Sequence, residues 1–105
     1  LLKYIAYCQK NDLVCNCAQT DVKGSRNPKY KRAHMQPDPD QFVHVVEKDV
    51  DGIGLDGKPC KGIIVRGAKI CNSNAPYVDE IIVNPTKFMS PDDSDYAVAF
   101  ALPAD

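Results

Sequence analysis

Short bursts of apolar residues separated by polar turn signals make up most of the 105-residue chain, and that rhythm predicts strands. The opening differs. Leu1, Ile5 and Cys8 fall at helical spacing with Leu2 and Ala6 beside them, and Asn11-Asp12 ends the pattern, so residues 1–10 read as the tail of a helix. Leu13 to Ala18 reads as a short strand, after which the apolar signal disappears from Gln19 to Pro39. That stretch holds Gly24, Ser25, Asn27, Pro28, Pro37 and Pro39 and is expected to be a long loop, of the kind that is functional or disordered. Phe42 to Lys48 is the next strand, and Asp51-Gly52 and Asp56-Gly57 are each expected to turn, bracketing the short piece Ile53-Gly54-Leu55. The strongest β signal is Gly62 to Cys71, where Ile63, Ile64, Val65, Ala68 and Ile70 are broken by Gly67. A glycine inside such a run marks a bulge or a close backbone approach, so a pair, Gly62 to Arg66 and Ala68 to Cys71, is expected. Val78 to Val83 and Tyr96 to Leu102 complete the series. The pattern predicts a mainly β fold, a small barrel or sandwich, in a single domain over residues 1–105: a helix tail at 1–10 and a β-domain at 11–105.

Composition narrows the function classes. An apolar share of 44% with 26% charged residues is ordinary for a globular domain, and the longest apolar run, Tyr96 to Leu102, is far short of a membrane span. A net charge of -1 gives no overall pull toward nucleic acid or membrane, so neither is expected as a partner. The chain opens on Leu1-Leu2-Lys3 without methionine or a signal peptide and closes at Pro103-Ala104-Asp105 after a strand-like run, which leads us to expect a piece of a longer protein. Cys8, Cys15, Cys17, Cys60 and Cys71 are odd in number and form no framework, so reduced thiols and a cytoplasmic location are expected. Cys15-x-Cys17 lacks zinc-knuckle spacing and any answering pair, which favours buried structural cysteines over metal ligands.

Three motifs invite stronger readings. Gly52-Ile-Gly54-Leu-Asp-Gly57 matches the dinucleotide-binding pattern, yet Lys58-Pro59 and Gly62 forbid the helix whose N-terminus would hold a pyrophosphate, so it is read as a hairpin turn. Glu47, Asp49, Asp51 and Gly52 resemble half of a calcium loop, but Lys58 stands at the closing position. Lys23, Arg26, Lys29, Lys31 and Arg32 gather around Lys23-Gly24-Ser25-Arg26, where a glycine lets backbone N–H groups approach an anion; a solvated loop and a phosphate site both remain open. His34 and His44 have no acid or nucleophile at a telling spacing, and His44 is expected on the solvent face of its strand.

Several pieces, in order, resemble one family: Asn11-Asp-Leu13, Thr20-Asp21-x-Lys23-Gly24-x-Arg26, Asp38-Pro-Asp40, Val46-Glu-Lys48, Asp51-Gly52, Gly62-Ile-Ile-Val-Arg-Gly-Ala-Lys69, Glu80-Ile-Ile-Val83 and Asp95-Tyr-Ala-Val98. They resemble the middle β-domain of 4-hydroxybutyryl-CoA dehydratase (vinylacetyl-CoA isomerase), within the 4-hydroxyphenylacetate 3-hydroxylase flavoprotein family, whose fold is that of the acyl-CoA dehydrogenases. The resemblance implies FAD binding. One flavin segment would fall on Ala18, Gln19, Thr20 and Asp21, with Gly24, Ser25 and Arg26 near the pyrophosphate or ribose; a second would fall on Ile70, Cys71, Asn72 and Ser73, the two forming opposite walls of one groove.

It further implies a parent enzyme that converts 4-hydroxybutyryl-CoA to crotonyl-CoA in 4-aminobutyrate metabolism, with an acyl-CoA substrate, a homo-oligomeric state, and a 4Fe-4S cluster whose ligands lie outside this chain. No catalytic residue and no metal ligand carry over, and the chain alone is expected to be inactive. Val22 departs from the proline usual after the Thr-Asp pair, Ser73 from threonine, and the hairpin over Ile53 to Gly62 looks longer than the family's. A flavin-dependent 4-hydroxyphenylacetate 3-monooxygenase is the alternative, although its substrate-binding histidine is matched here by Cys17. A non-enzymatic β-barrel binding an anion or nucleic acid through the basic loop is the alternative of another class.

Overall fold

The computed structural model describes residues 1–25, 27–54, 56–87 and 89–104. Helix α1, Leu2–Asn11, stops where Asp12 enters the left-handed region at φ 54 and its backbone N–H turns back to the carbonyls of Cys8 and Gln9. None of its residues is buried.

Among the described residues five strands follow: β1 Cys15–Ala18, β2 His44–Ile53, β3 Pro59–Arg66, β4 Glu80–Val83 and β5 Phe100–Pro103. They form two sheets, β1-β4-β5 and the β2-β3 hairpin. Strand β1 runs parallel to β4, Cys15 opposite Glu80 and Ala18 opposite Val83, while β5 is antiparallel to β4. A parallel pair requires a crossover, and here the whole stretch between β1 and β4 supplies it, hairpin included.

The mainly β chain with one N-terminal helix agrees with the pattern; the expected small barrel does not, since the described residues form two separate sheets and no closed barrel. Three strands of four residues each are too short and too few to close, and the hairpin projects instead of joining them. Strand β2 also runs through Asp51-Gly52, which does not turn: Asp51 pairs with Lys61 and Gly52 with Cys60 across the ladder. The reversal comes at Gly54 to Lys58, where Gly57 takes φ 75 and the Gly54 N–H donates to the Lys58 carbonyl at 2.8 Å. The glycine pattern is therefore half strand and half hairpin turn; its Leu55 lies outside the described residues.

Ala68 to Cys71 is not a strand, because Gly67, at φ 136, brings its backbone against that of Val43, and beyond it a single bridge, Lys69 opposite Asp21, replaces a ladder. The long loop carries two 3-10 turns, Pro28–Tyr30 and Ala33–Met35. Tyr96 ends another, Pro91–Tyr96, opened by a capping box between Ser90 and Asp93, so only the second half of the Tyr96 to Leu102 run is strand.

Ala33, Phe42 and Tyr96 form a small core with Met89 against it. His44 stacks on Tyr96 at 4.9 Å and is half-buried, where the solvent face of its strand was expected. His34 is held by the buried Asp93 carboxylate at 2.6 Å. Cys15 and Cys17, expected to be buried, are exposed, since β1 is an edge of its sheet. The accessible surface is 7702 Å², against about 5,800 Å² for a self-contained protein of this mass. The radius of gyration is 15.3 Å against about 13 Å. The excess lies on α1 and the hairpin, where Leu2, Ile53 and Ile63 are exposed.

A candidate cofactor-facing site beside the strand ends

Chain leaving β1 at Ala18 lies between two other segments. The Asn84 N–H, just past β4, donates to the Ala18 carbonyl at 3.4 Å, and the Ile70 N–H, past β3, donates to the Thr20 carbonyl at 2.9 Å. Lys69 fastens all three. Its ammonium donates to Asp21 Oδ1 at 2.5 Å, to the Asn84 carbonyl at 2.7 Å and to the Gln19 carbonyl at 3.2 Å, which uses its three protons. The Thr86 hydroxyl donates to the other oxygen of Asp21. The pair is enclosed, with side chains 8% and 11% exposed for Lys69 and Asp21.

The residues assigned from sequence to the two flavin segments thus occupy neighbouring, antiparallel stretches. Thr20 and Asp21 run beside Lys69 and Ile70, and Asn72 reaches β1, where its Oδ1 accepts from Asn16 Nδ2 at 2.7 Å. Side by side is their relation, in place of facing walls. Gln19, Thr20, Ile70, Cys71 and Ser73 are exposed, Asn72 half-buried and Ala18 buried. Cys71 is at φ 59, a left-handed conformation that reverses the chain into the turn at Asn72 to Ala75.

Gly24 and Ser25 lie apart, on the rim of an open hollow of about 450 Å³ that Lys23, Lys31 and Lys87 also line. The Ser25 N–H donates to Gln36 Oε1 at 2.9 Å, and a Cβ on Gly24 would sit 2.7 Å from that oxygen and 2.8 Å from Gln41 Nε2. Gln41 Nε2 is itself a buried donor with no hydrogen-bond partner among the described residues. Arg26 lies outside the described residues.

Sequence reasoning gave Lys69 a place in a motif but no role, and missed Asn16, Asn84, Thr86 and Lys87. Only Lys69 carried a signal, as a cation inside the apolar run from Gly62 to Cys71. The others become neighbours through the parallel β1–β4 pairing, which no local pattern encodes. Among the described residues no group of three or more His, Cys, Asp or Glu side chains could hold a metal ion.

The chain is thus a mainly β unit, a mixed three-stranded sheet with a projecting hairpin and with loop segments laid side by side at its strand ends. The chain belongs to the family described as 4-hydroxyphenylacetate 3-hydroxylase N terminal, whose model matches residues 1–105. It is 41% identical over 103 residues to the 4-hydroxybutyryl-CoA dehydratase/vinylacetyl-CoA-Delta-isomerase of Clostridium aminobutyricum, covering 98% of this chain and 18% of that protein. It is 34% identical to the 4-hydroxyphenylacetate 3-monooxygenase oxygenase component of Thermus thermophilus, again over 18% of the relative. Among solved structures it matches an oxygen-tolerant archaeal 4-hydroxybutyryl-CoA dehydratase from N. maritimus with a TM-score of 0.80 at 32% identity, covering 98% of this chain and 18% of that one. The oxygenase component of 4-hydroxyphenylacetate 3-monooxygenase complexed with FAD matches at 0.71 and 30%, covering 97% and 18%. The chain therefore spans less than a fifth of the relatives it matches.

Proposed function

We propose that this chain is the FAD-contacting β segment of a longer flavoenzyme of the dehydratase branch, which removes water from 4-hydroxybutyryl-CoA to give crotonyl-CoA. The observation that carries the choice of branch is the 41% identity across nearly the whole chain to the dehydratase, against 34% to the monooxygenase. The cluster of four irons and four sulfides would be held by other parts of that protein, as would the catalytic groups. The surface this chain leaves open suits a domain packed against them.

The residues present fit a flavin. A dinucleotide needs cations for its diphosphate, and Lys23, Lys31 and Lys87 supply them around one hollow, although Gln36 and Gln41 fill the space beside Gly24 and Gln36 takes the Ser25 N–H. A flat ring needs an apolar support with a few oriented donors, and exposed Ile70, whose N–H donates to the Thr20 carbonyl, offers residue types of both kinds together with the exposed Thr20 and Ser73. FAD, when bound, supplies electron transfer to and from the substrate; the protein's part is to bind and orient it. Lys69 would keep Thr20 and Ile70 in register, and Lys23, Lys31 and Lys87 would balance the diphosphate charge.

Purified full-length protein is expected to be yellow and to form crotonyl-CoA from 4-hydroxybutyryl-CoA. Replacing both Asn72→Leu and Ser73→Leu is expected to strip the flavin absorbance, and full FAD occupancy in that variant would overturn the assignment. Hydroxylation of 4-hydroxyphenylacetate in place of dehydration would move the chain to the other branch.

A further inference from the structure

Two thiols that the proposed flavin site does not use stand in contact at the junction of α1 and β1. Cys8 lies in the last turn of the helix and Cys15 is the first residue of the strand, and the chain between them folds back tightly through Asp12 at φ 54, with the Leu13 N–H on the Cys8 carbonyl at 3.0 Å. That reversal brings the sulfurs to 3.7 Å, in contact, so that closure requires a further approach to the about 2.05 Å of a disulfide. The Tyr4 hydroxyl, 3.9 Å from Cys15 Sγ, donates to Glu80 Oε2 on β4 and so holds the helix over the strand. Cys15 is exposed, which gives a small oxidant access. The remaining thiols are placed otherwise: Cys17 is engaged by Asn84 Nδ2 at 3.3 Å, and Cys60 and Cys71 are carried by the hairpin and the turn beyond it.

We propose that Cys8 and Cys15 are a reversible redox site that closes to a disulfide when a small-molecule disulfide is the oxidant, clamping α1 to the edge of the β1-β4-β5 sheet. The exchange balances. One cysteine thiolate attacks a sulfur of the oxidant, breaking its S–S bond and releasing one thiolate; the second cysteine thiolate then attacks the mixed disulfide and releases the other. The two cysteine protons end on the two released thiols, and the oxidant is reduced by the pair of electrons the cysteines lose. A covalent tie at the last turn of α1 adds to the hold that Tyr4 exerts on β4 through Glu80. Nothing in this step passes through the flavin.

The test uses full-length protein equilibrated with oxidised or reduced glutathione, acid-quenched, alkylated and mapped by peptide mass. The expected result is a cross-linked Cys8–Cys15 peptide that vanishes on reduction, is lost in both Cys8→Ser and Cys15→Ser, and persists in Cys17→Ser. Amide exchange across Leu2–Asn11 is expected to slow in the oxidised wild type, a measurement that needs no variant. A bond from Cys17 to either partner, stable glutathione adducts on Cys8 and Cys15 with no bond between them, or both thiols remaining free in oxidised glutathione would overturn the proposal. A formed bond that leaves α1 exchange unchanged would overturn the clamp.

Discussion

Replacing the enclosed Lys69 with methionine should loosen the site. The variant keeps most of the side-chain volume and removes a charge whose three protons bind Asp21 and the carbonyls of Gln19 and Asn84. Stripping one partner from an enclosed ion pair costs about 3–5 kcal/mol, because the other charge is left unpaired. Thr86 still donates to Asp21, and the carboxylate is 11% exposed, so water can reach it; the cost falls at the lower end, about 3 kcal/mol. The strands need not unfold globally for this to register. The hydrogen bond from the Ile70 N–H to the Thr20 carbonyl crosses the same junction, so exchange of that amide in the full-length protein reads the local opening. At about 1.4 kcal/mol per tenfold, its protection should fall roughly a hundredfold. Asp21→Asn combined with Lys69→Met should recover much of the loss, since no charge is then stranded. Lys61→Met supplies the contrast: its pair with Asp51 has side chains 62% and 90% exposed, and exposed pairs contribute at most about 1 kcal/mol. A fall of less than about fivefold at Ile70, or an equal effect from Lys61→Met, would refute the claim that Lys69 locks these segments.

Other substitutions probe single causes. Gly67→Ala would place a Cβ 2.5 Å from the Val43 nitrogen and 2.6 Å from the Phe42 carbonyl carbon, backbone against backbone, at a φ of 136 that L-residues rarely adopt. Strain and overpacking together should destabilise by about 3 kcal/mol or more, seen as a lower Tm, and an unchanged Tm would sink the argument. Burial alone would raise the Asp93 carboxyl, but hydrogen bonds from His34 and Ser90 outweigh it and hold the group well below the usual carboxylate range. A depressed folded-state value stabilises the fold above the unfolded value and is lost as pH falls, so stability should erode below about pH 4 in the wild type. Asp93→Asn should be less stable at neutral pH and should lack this part of the acid dependence, as urea midpoints at stepped pH would show. Gly57→Val, at φ 75 in the hairpin turn, should lower the order of β2 and β3 while leaving flavin content unchanged; flavin loss there would tie the hairpin to the site.

The amino-acid sequence by itself determined the elements that depend on neighbours in the chain. Spacing at Leu1, Ile5 and Cys8 marked the helix, and the β-branched runs at Ile63 to Val65 and Ile81 to Val83 marked strands. Asp56-Gly57 marked a turn because a glycine there takes a positive φ that other residues resist. The same local logic failed at Asp51-Gly52. Those residues carry turn chemistry, but the ladder to Lys61 and Cys60 holds them extended, and cross-strand pairing outweighed the dipeptide preference. Ala68 to Cys71 failed similarly, because β propensity cannot make a strand where Gly67 has turned the backbone onto Val43 and only Asp21 offers a partner.

Family likeness was legible through ordered motifs spread over the whole chain, and the relationship holds at 41% identity to the dehydratase. What only the tertiary structure decided is the arrangement of the candidate site. Parallel pairing of β1 with β4 joins residues more than sixty positions apart, and it sets Asn84 and Thr86 beside Gln19 and Asp21 with Lys69 between them. Long-range register and the burial of one charge among carbonyls from three segments depend on where the chain returns, which is set by the packing of the whole chain and is invisible in any window of its sequence.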